Sequence, residues 1–329
     1  HAFAAPSFVD SGRTSEGMRL HPIRQKGWDT WAKAEILWKL SLNESPLVHF
    51  IAAPTRPLAR LSSWLAWRGK RIIHTIASMP KPELAYRDCV WAHRVVVLSR
   101  ASLTRALKEG IPSERLVHIP PAIAQPKTPR PELVEELRNH FGLSGRFVLT
   151  FPGDLGQDRG AELVIEALAK SKARRSTTLV IATRNKGPAS FRRWPLLREM
   201  AHRKGVDLRL VGEVQHIHAL IAASDLIVFA AQSCHAKVDH PLVLLEAMHL
   251  GRPVLITEGS PAHELAEEGG ALGTAFDANA LSQAIDQMHR DEGLRERWAK
   301  AGVQCAQRRT VEAMAQAYEE VYRALEEEA

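Results

Sequence analysis

The chain is predicted to be an α/β protein built from two Rossmann-like domains with parallel sheets. Short apolar, β-branched runs alternate with helical segments along most of the sequence, a pattern that yields parallel sheets covered by helices on both faces. With 329 residues, 45% of them hydrophobic and 25% charged, the chain has the length for two separate cores. Residues 121–145 interrupt the alternation with Pro121, Pro126, Pro129 and Pro131, then a short helix, and divide the chain in two as a linker.

In the first part, residues 28–42 carry apolar side chains at helical spacing, and residues 46–52 follow as a buried strand. Residues 56–68 are again helical and are ended by Gly69. A strand at 71–77, a loop punctuated by Pro80 and Pro82, a strand at 95–99, a helix stopped by Gly110 and a short strand at 116–120 complete this part. The second part opens with a strand at 146–151, a turn from Pro152 to Gly160 and a helix from Ala161. Further strands are expected at 178–183, 207–211, 226–230, 254–257 and 273–276, and six strands with intervening helices make one Rossmann-like sheet. The tail is helical from Ala278 onward, with Val311, Met314, Tyr318, Val321 and Tyr322 at helical spacing in its last segment. The domain reading is therefore 1–122, a linker at 123–145, a second domain at 146–309, and a terminal helix at 310–329.

The stretch from Val238 to Thr257 carries the densest chemical signal. Pro241 occupies a first-turn position where its missing N–H costs nothing, Asp239 or His240 is placed to cap, and Gly251 with Pro253 stops the helix before an apolar strand. The free N–H groups of Leu242 and Val243 form a positive end suited to a phosphate. Glu246, one turn further on, is placed to accept hydrogen bonds from ribose hydroxyls. The alternative is a plain amphipathic helix with Leu242, Leu245 and Met248 as its core face and Glu246 in solvent. Gly153 and Arg159, in the turn after the strand at 146–151, lie where backbone amides and cations converge on a pyrophosphate. Arg184 and Lys186 end the next strand beside the same crevice, Lys237 stands just before Asp239, and Gly212 ends the strand at 207–211.

The run Pro241-Leu242-Val243-Leu244-Leu245-Glu246-Ala247-Met248, continued by Gly251-Arg252-Pro253-Val254, resembles the signature of family-four retaining glycosyltransferases. That resemblance implies a GT-B fold of two facing Rossmann-like domains, with a nucleotide-sugar donor in the second and an acceptor against the first. It implies that Glu246 holds the donor ribose, that the turn around Gly153 and Arg159 grips the diphosphate, and that the backbone near Gly212 meets the base. It also implies a terminal helix that returns to the first domain. Three positions depart from the family pattern: Asp154 replaces a diphosphate-binding cation, Ala77 replaces a His, and Val238 replaces a Glu near the transferred sugar. The readings that follow are Arg159 on the diphosphate with Lys237, Arg184 or Lys186 as second clamp, and Asp239 either as the substitute carboxylate near the sugar or as a helix N-cap. Glu264 reads as a capping residue, and His74, on a buried strand, as a core histidine. The chain opens at His1 without the family's Gly-rich turn, so its first strand and helix are expected to lie outside the numbered sequence. The departures fit a divergent enzyme or, alternatively, a non-catalytic GT-B scaffold that binds a nucleotide or a partner protein.

Composition narrows the rest. Residues 1–122 hold 18 Lys and Arg against 9 Asp and Glu, and five of the eight Trp fall between Trp28 and Trp67. A basic, Trp-rich half suits an anionic membrane surface or a lipid-linked acceptor, against the plainer reading of core Trp and solvated Arg. Three widely spaced cysteines argue against a disulfide framework and a zinc cluster, and fit a reducing cytoplasm. No apolar run reaches the ~20 residues that span a bilayer. No cofactor or metal is expected beyond the nucleotide-sugar, since the sequence has no Asp-x-Asp motif and no convincing His ligand spacing. P-loop and hydrolase motifs are also absent, and charge alone does not support nucleic-acid binding.

Overall fold

A computed structural model describes residues 2–4, 20–22, 39–40, 44–81, 83–153, 155, 159–183, 188–212, 214–232 and 238–328. Strands β1 (Ala2–Ala4) and β2 (Leu20–Pro22) pair in parallel with each other. Strands β3 (Leu47–Ala52), β4 (Arg71–Ile76), β5 (Arg94–Val97) and β6 (Leu116–His118) form a four-stranded parallel sheet in that order. Of the helix expected over 28–42, only Lys39 and Leu40 fall among the described residues, and both are helical. Strand β5 ends at Val97, short of the expected Ser99. Ser99 has turned to cap the next helix, Arg100–Lys108, accepting from Ser102 N.

The second sheet contains β7 (Phe147–Pro152), β8 (Thr177–Ala182), β9 (Asp207–Val211), β10 (Leu226–Phe229), β11 (Val254–Thr257) and β12 (Leu272–Thr274). Its spatial order is β12-β11-β10-β7-β8-β9, all parallel. Numbered from β7 this is the doubly wound dinucleotide-binding order, and it reverses direction between β7 and β10. Alternation along the strands fills both faces. Leu149, Phe151, Leu179, Ile181, Leu226, Val228 and Leu255 enter one core, while Ile227, Phe229, Val254 and Ile256 enter the opposite one. Strands covered on both sides read as nearly continuous apolar runs, and β8, β10 and β11 are buried end to end, with Thr177, Thr178 and Thr257 as their polar members.

The segment between the sheets belongs mostly to the second domain. The short helix expected within the linker is Pro131–His140, and it buries Leu137 among Val148, Val180, Val211, Ala219 and Leu220, so it packs as part of the second domain rather than as a free connection. The apolar face of that helix, Leu133, Val134 and Leu137, is what commits it to the second core.

The last helix, Val311–Glu327, crosses to the first sheet, where Val321 and Leu325 pack with Ile73, Val96 and Ile119. A half-buried polar chain joins them. His49 Nδ1 lies 2.9 Å from Tyr322 Oη and its Nε2 2.8 Å from Thr75 Oγ1, which in turn lies 3.1 Å from Tyr318 Oη. Burial, aided by the charge of His74, lowers His49 to about 4, and burial also lowers His74 to about 4 against a bond to the Ala52 carbonyl. Both histidines are thus neutral in the fold at pH 5, whereas the unfolded chain is protonated there. Stability conferred by the neutral rings is present above the ordinary histidine range and is lost as pH falls from about 6.5 towards 4. Urea unfolding is expected to show a loss of about 3–4 kcal/mol between pH 7 and pH 5, shared by the two rings, and His49→Gln should roughly halve that slope. An equal slope in the variant would contradict the assignment.

Candidate active site

The turn after β7 sits at the point where the strand order reverses. Gly153 N donates to Ala182 O at 3.0 Å, tying the turn to the end of β8. The helix Gly160–Lys170 then starts directly against β10: a Cβ on Gly160 would stand 1.8 Å from Ala230 O. Only glycine permits that approach, and the approach brings the positive end of the helix to the strand ends. Arg159 is the N-cap residue of this helix, and its side chain is 73% exposed with Glu166 4.0 Å away, a loose solvent pair that leaves the guanidinium available. Asp154 lies outside the described residues, as do Arg184, Lys186 and Lys237.

The helix Leu242–His249 begins at the same edge. Pro241 occupies its N-cap and no side chain caps it, so Asp239 and His240 do not serve as caps here. Leu242 is exposed and Val243 half-buried, while Leu244, Leu245, Ala247 and Met248 are buried in the core. Gly251, at φ 64°, closes the helix in the left-handed conformation with its N–H on Met248 O at 3.0 Å. Glu246 projects from the half-exposed face with Oε2 3.8 Å from His218 Nε2. His218 lies on the helix Ile217–Ala223, so the structure brings His218 beside Glu246 on the half-exposed side of the helix. His218 was not legible in the sequence, since a single His on a helix 28 positions from Glu246 carries no spacing signal.

Asp239 departs from expectation. It is fully buried, and Oδ2 accepts hydrogen bonds from Ser99 Oγ at 2.6 Å and Ser102 Oγ at 2.5 Å, both in the first domain. Burial pushes its carboxyl above the ordinary range, against the pull of the Ser102 and Ser99 hydroxyls. A carboxylate enclosed in this way faces the other domain rather than space open to a sugar. Glu264 joins it: Oε2 accepts Arg100 N at 3.0 Å and Oε1 accepts Ala101 N at 2.7 Å. Burial opposes its charge, but His240 and the amides of Ala101 and Arg100 prevail and bring the carboxyl down to about 2. Behind them Arg309 donates to His240 Nδ1 at 2.9 Å, which leaves the ring proton on Nε2, 3.4 Å from Glu264. Arg309 also donates to Glu268 at 2.7 Å. His74 is a buried core residue on β4. Among the described residues no group of three or more His, Cys, Asp or Glu stands close enough to hold a metal.

Chemically, the second domain thus offers two helix N-termini, an available arginine and a half-exposed carboxylate one turn into a helix, around the switch point of a doubly wound sheet. Such a set accepts a phosphate-bearing nucleoside. The sequence profile of the family described as glycosyl transferases group 1 matches residues 134–304. The α-D-kanosaminyltransferase of Streptomyces kanamyceticus is 28% identical over 172 residues, 50% of this chain and 42% of that relative, so the match spans less than half of the relative's length. Among solved structures, Anabaena HepE in complex with UDP and glucose superposes with a TM-score of 0.79 at 19% identity, covering 97% of this chain and 88% of that one. Sucrose-phosphate synthase of Thermosynechococcus elongatus does so with a TM-score of 0.73 at 20% identity, covering 96% and 85%. The fold is GT-B. If Gly160 sets the turn as described, Gly160→Ala must displace the helix from β10 and is expected to cost about 2–3 kcal/mol in urea unfolding; a cost near zero would contradict the close packing.

Proposed function

The chain belongs to the group 1 glycosyl transferases, and from that premise we propose that it moves a sugar from a nucleoside-diphosphate sugar to an acceptor with retention of configuration and without a metal. The observation that carries this is the uncapped N-terminus of the helix Leu242–His249 with Glu246 half-exposed one turn beyond it. In this reading the diphosphate lies against the amides of Leu242 and Val243, and Glu246, steadied by His218, accepts the two ribose hydroxyls. The solved complexes of HepE with UDP and with UDP-glucose lend support, since those ligands are of the same class. Arg159 meets the diphosphate from the neighbouring turn, with Lys237, Arg184 or Lys186 as the second cation and the backbone near Gly153 and Gly212 beside the phosphates and base. Charge building on the leaving diphosphate is then stabilised by fixed cations and amides, and attack comes from the face the diphosphate leaves.

Glu246→Ala is expected to weaken nucleoside-diphosphate binding by about 1.5–3 kcal/mol in calorimetry, because two hydroxyls lose a charged acceptor. Arg159→Ala should lower donor turnover at least tenfold, about 1.4 kcal/mol of transition-state stabilisation. Equal affinity in the first variant, or equal turnover in the second, would remove that residue from the site. Binding without turnover in the parent protein would instead favour the non-catalytic scaffold.

The acceptor side carries a further mark. The helix Arg56–Trp67 buries Leu65 and Ser62 inward and presents Arg56, Arg60, Trp64 and Trp67 along one outer stripe. Trp67 is 80% exposed, and the Arg68 guanidinium stands 5.8 Å from the Trp64 ring. Residues 46–82 contain six Lys and Arg and no Asp or Glu. Exposed tryptophans in a segment that carries cations and no acidic residue fit the interface of an anionic lipid layer, which would present a lipid-linked acceptor from the cytoplasmic side. No helix among the described residues is long and apolar enough to cross a membrane. Co-sedimentation with anionic vesicles is expected, weakening as salt rises and falling in Arg60→Glu and Trp67→Ala. Equal sedimentation with neutral and anionic vesicles would contradict the proposal.

A further inference from the structure

Two carboxylates of the second domain converge on one helix end in the first. The helix Arg100–Lys108 directs its first-turn groups as follows: the N–H groups of Arg100 and Ala101 to Glu264, the N–H of Ser102 to Ser99 Oγ, and the hydroxyls of Ser99 and Ser102 to Asp239. A helix is ordinarily capped by its own chain. Here all but one of these donors end on carboxylates from the other domain, at the helix end where negative charge is favoured. Ser99, Ser102 and Asp239 are fully enclosed and Glu264 is nearly so, so the contact is sheltered from competing water and from screening. At its rim, Arg100 bridges to Glu267 and Glu268.

Asp239 is also the third residue before Leu242, with only His240 and Pro241 between it and the start of the helix that carries Glu246. His240 is pinned by Arg309, and Leu244, Leu245, Ala247 and Met248 are set in the core. Little slack remains between the interdomain contact and the free amides of Leu242 and Val243.

We propose that Asp239 is a positioning residue: its bonds to Ser99 and Ser102 fix the start of the helix Leu242–His249 against the first domain, and thereby set the distance and angle between the donor and the acceptor face. The contact itself is independent of the donor reading, while its consequence for transfer rests on that reading. Glu264 shares the same helix end, so the two carboxylates make a two-point attachment that resists rotation as well as separation.

Pulsed electron paramagnetic resonance on the full chain, with one spin label on each domain surface, reads the attachment directly, and calorimetry with nucleoside diphosphates reads its consequence. Relative to the parent, Asp239→Ala, Asp239→Asn and Ser102→Ala are expected to widen the interdomain distance distribution about twofold, since each removes part of what selects one orientation. The double variant Asp239→Ala with Ser102→Ala should be no wider than the wider single variant, because both delete the same contact. A purely structural role within the second domain would lower its melting temperature and leave the distances unchanged. Unchanged distances in a folded Asp239→Ala protein, or additive widening in the double variant, would overturn the proposal; if Asp239→Ala does not fold, Ser102→Ala decides from the opposite domain. A parent that binds none of the uridine, guanosine, adenosine, cytidine and thymidine diphosphates would remove the donor reading and leave the distance comparison to judge the attachment by itself.

Discussion

A buried carboxylate is tolerated only where donors converge on it, and Asp239 finds Ser99 Oγ and Ser102 Oγ in the other domain. The relative placement of the two sheets follows from that requirement. With Glu264 on the adjacent amides, the end of one helix becomes the socket into which the second domain fits. The terminal helix adds a separate attachment on the far side of the first sheet, through Val321, Leu325 and the hydroxyls of Tyr318 and Tyr322. Between these two attachments the C-terminal ends of β7, β8, β9 and β10 are left to form a site.

That site depends on backbone more than on side chains. Gly160 lets a helix lie against β10 at a distance that no other residue permits, and Pro241 begins a second helix without a side-chain cap. Each leaves first-turn amides at one edge of the sheet, where, in the proposed reading, fixed dipoles would stabilise a diphosphate. In the same reading Glu246, with His218 beside it, would add the discriminating contact, since a carboxylate rewards hydroxyls and repels phosphate.

The fold was legible because its signals are local and repeated. Strands buried on both faces read as apolar runs, and Gly251 and Pro253 mark the end of the helix after Asp239 in the sequence itself. The shared boundary was less so. Residues 123–145 read as a linker from their prolines, yet Leu133, Val134 and Leu137 commit the helix Pro131–His140 to the second core. Asp239 read as a cap or as a sugar-facing carboxylate because its true partners, Ser99 and Ser102, stand 140 and 137 positions away, and no periodicity reports a contact at such separation. Glu264 read as a capping residue, but the helix it caps belongs to the other domain. His218 lacked any signal for the same reason.

A structure determined with uridine diphosphate bound tests the central claim most directly. The account predicts the diphosphate against the amides of Leu242 and Val243, within reach of Arg159, and the ribose hydroxyls on Glu246. A nucleotide seated instead in the open cavity of about 520 Å³ lined by Val134, Arg138 and Arg252, with the helix Leu242–His249 unoccupied, would contradict it.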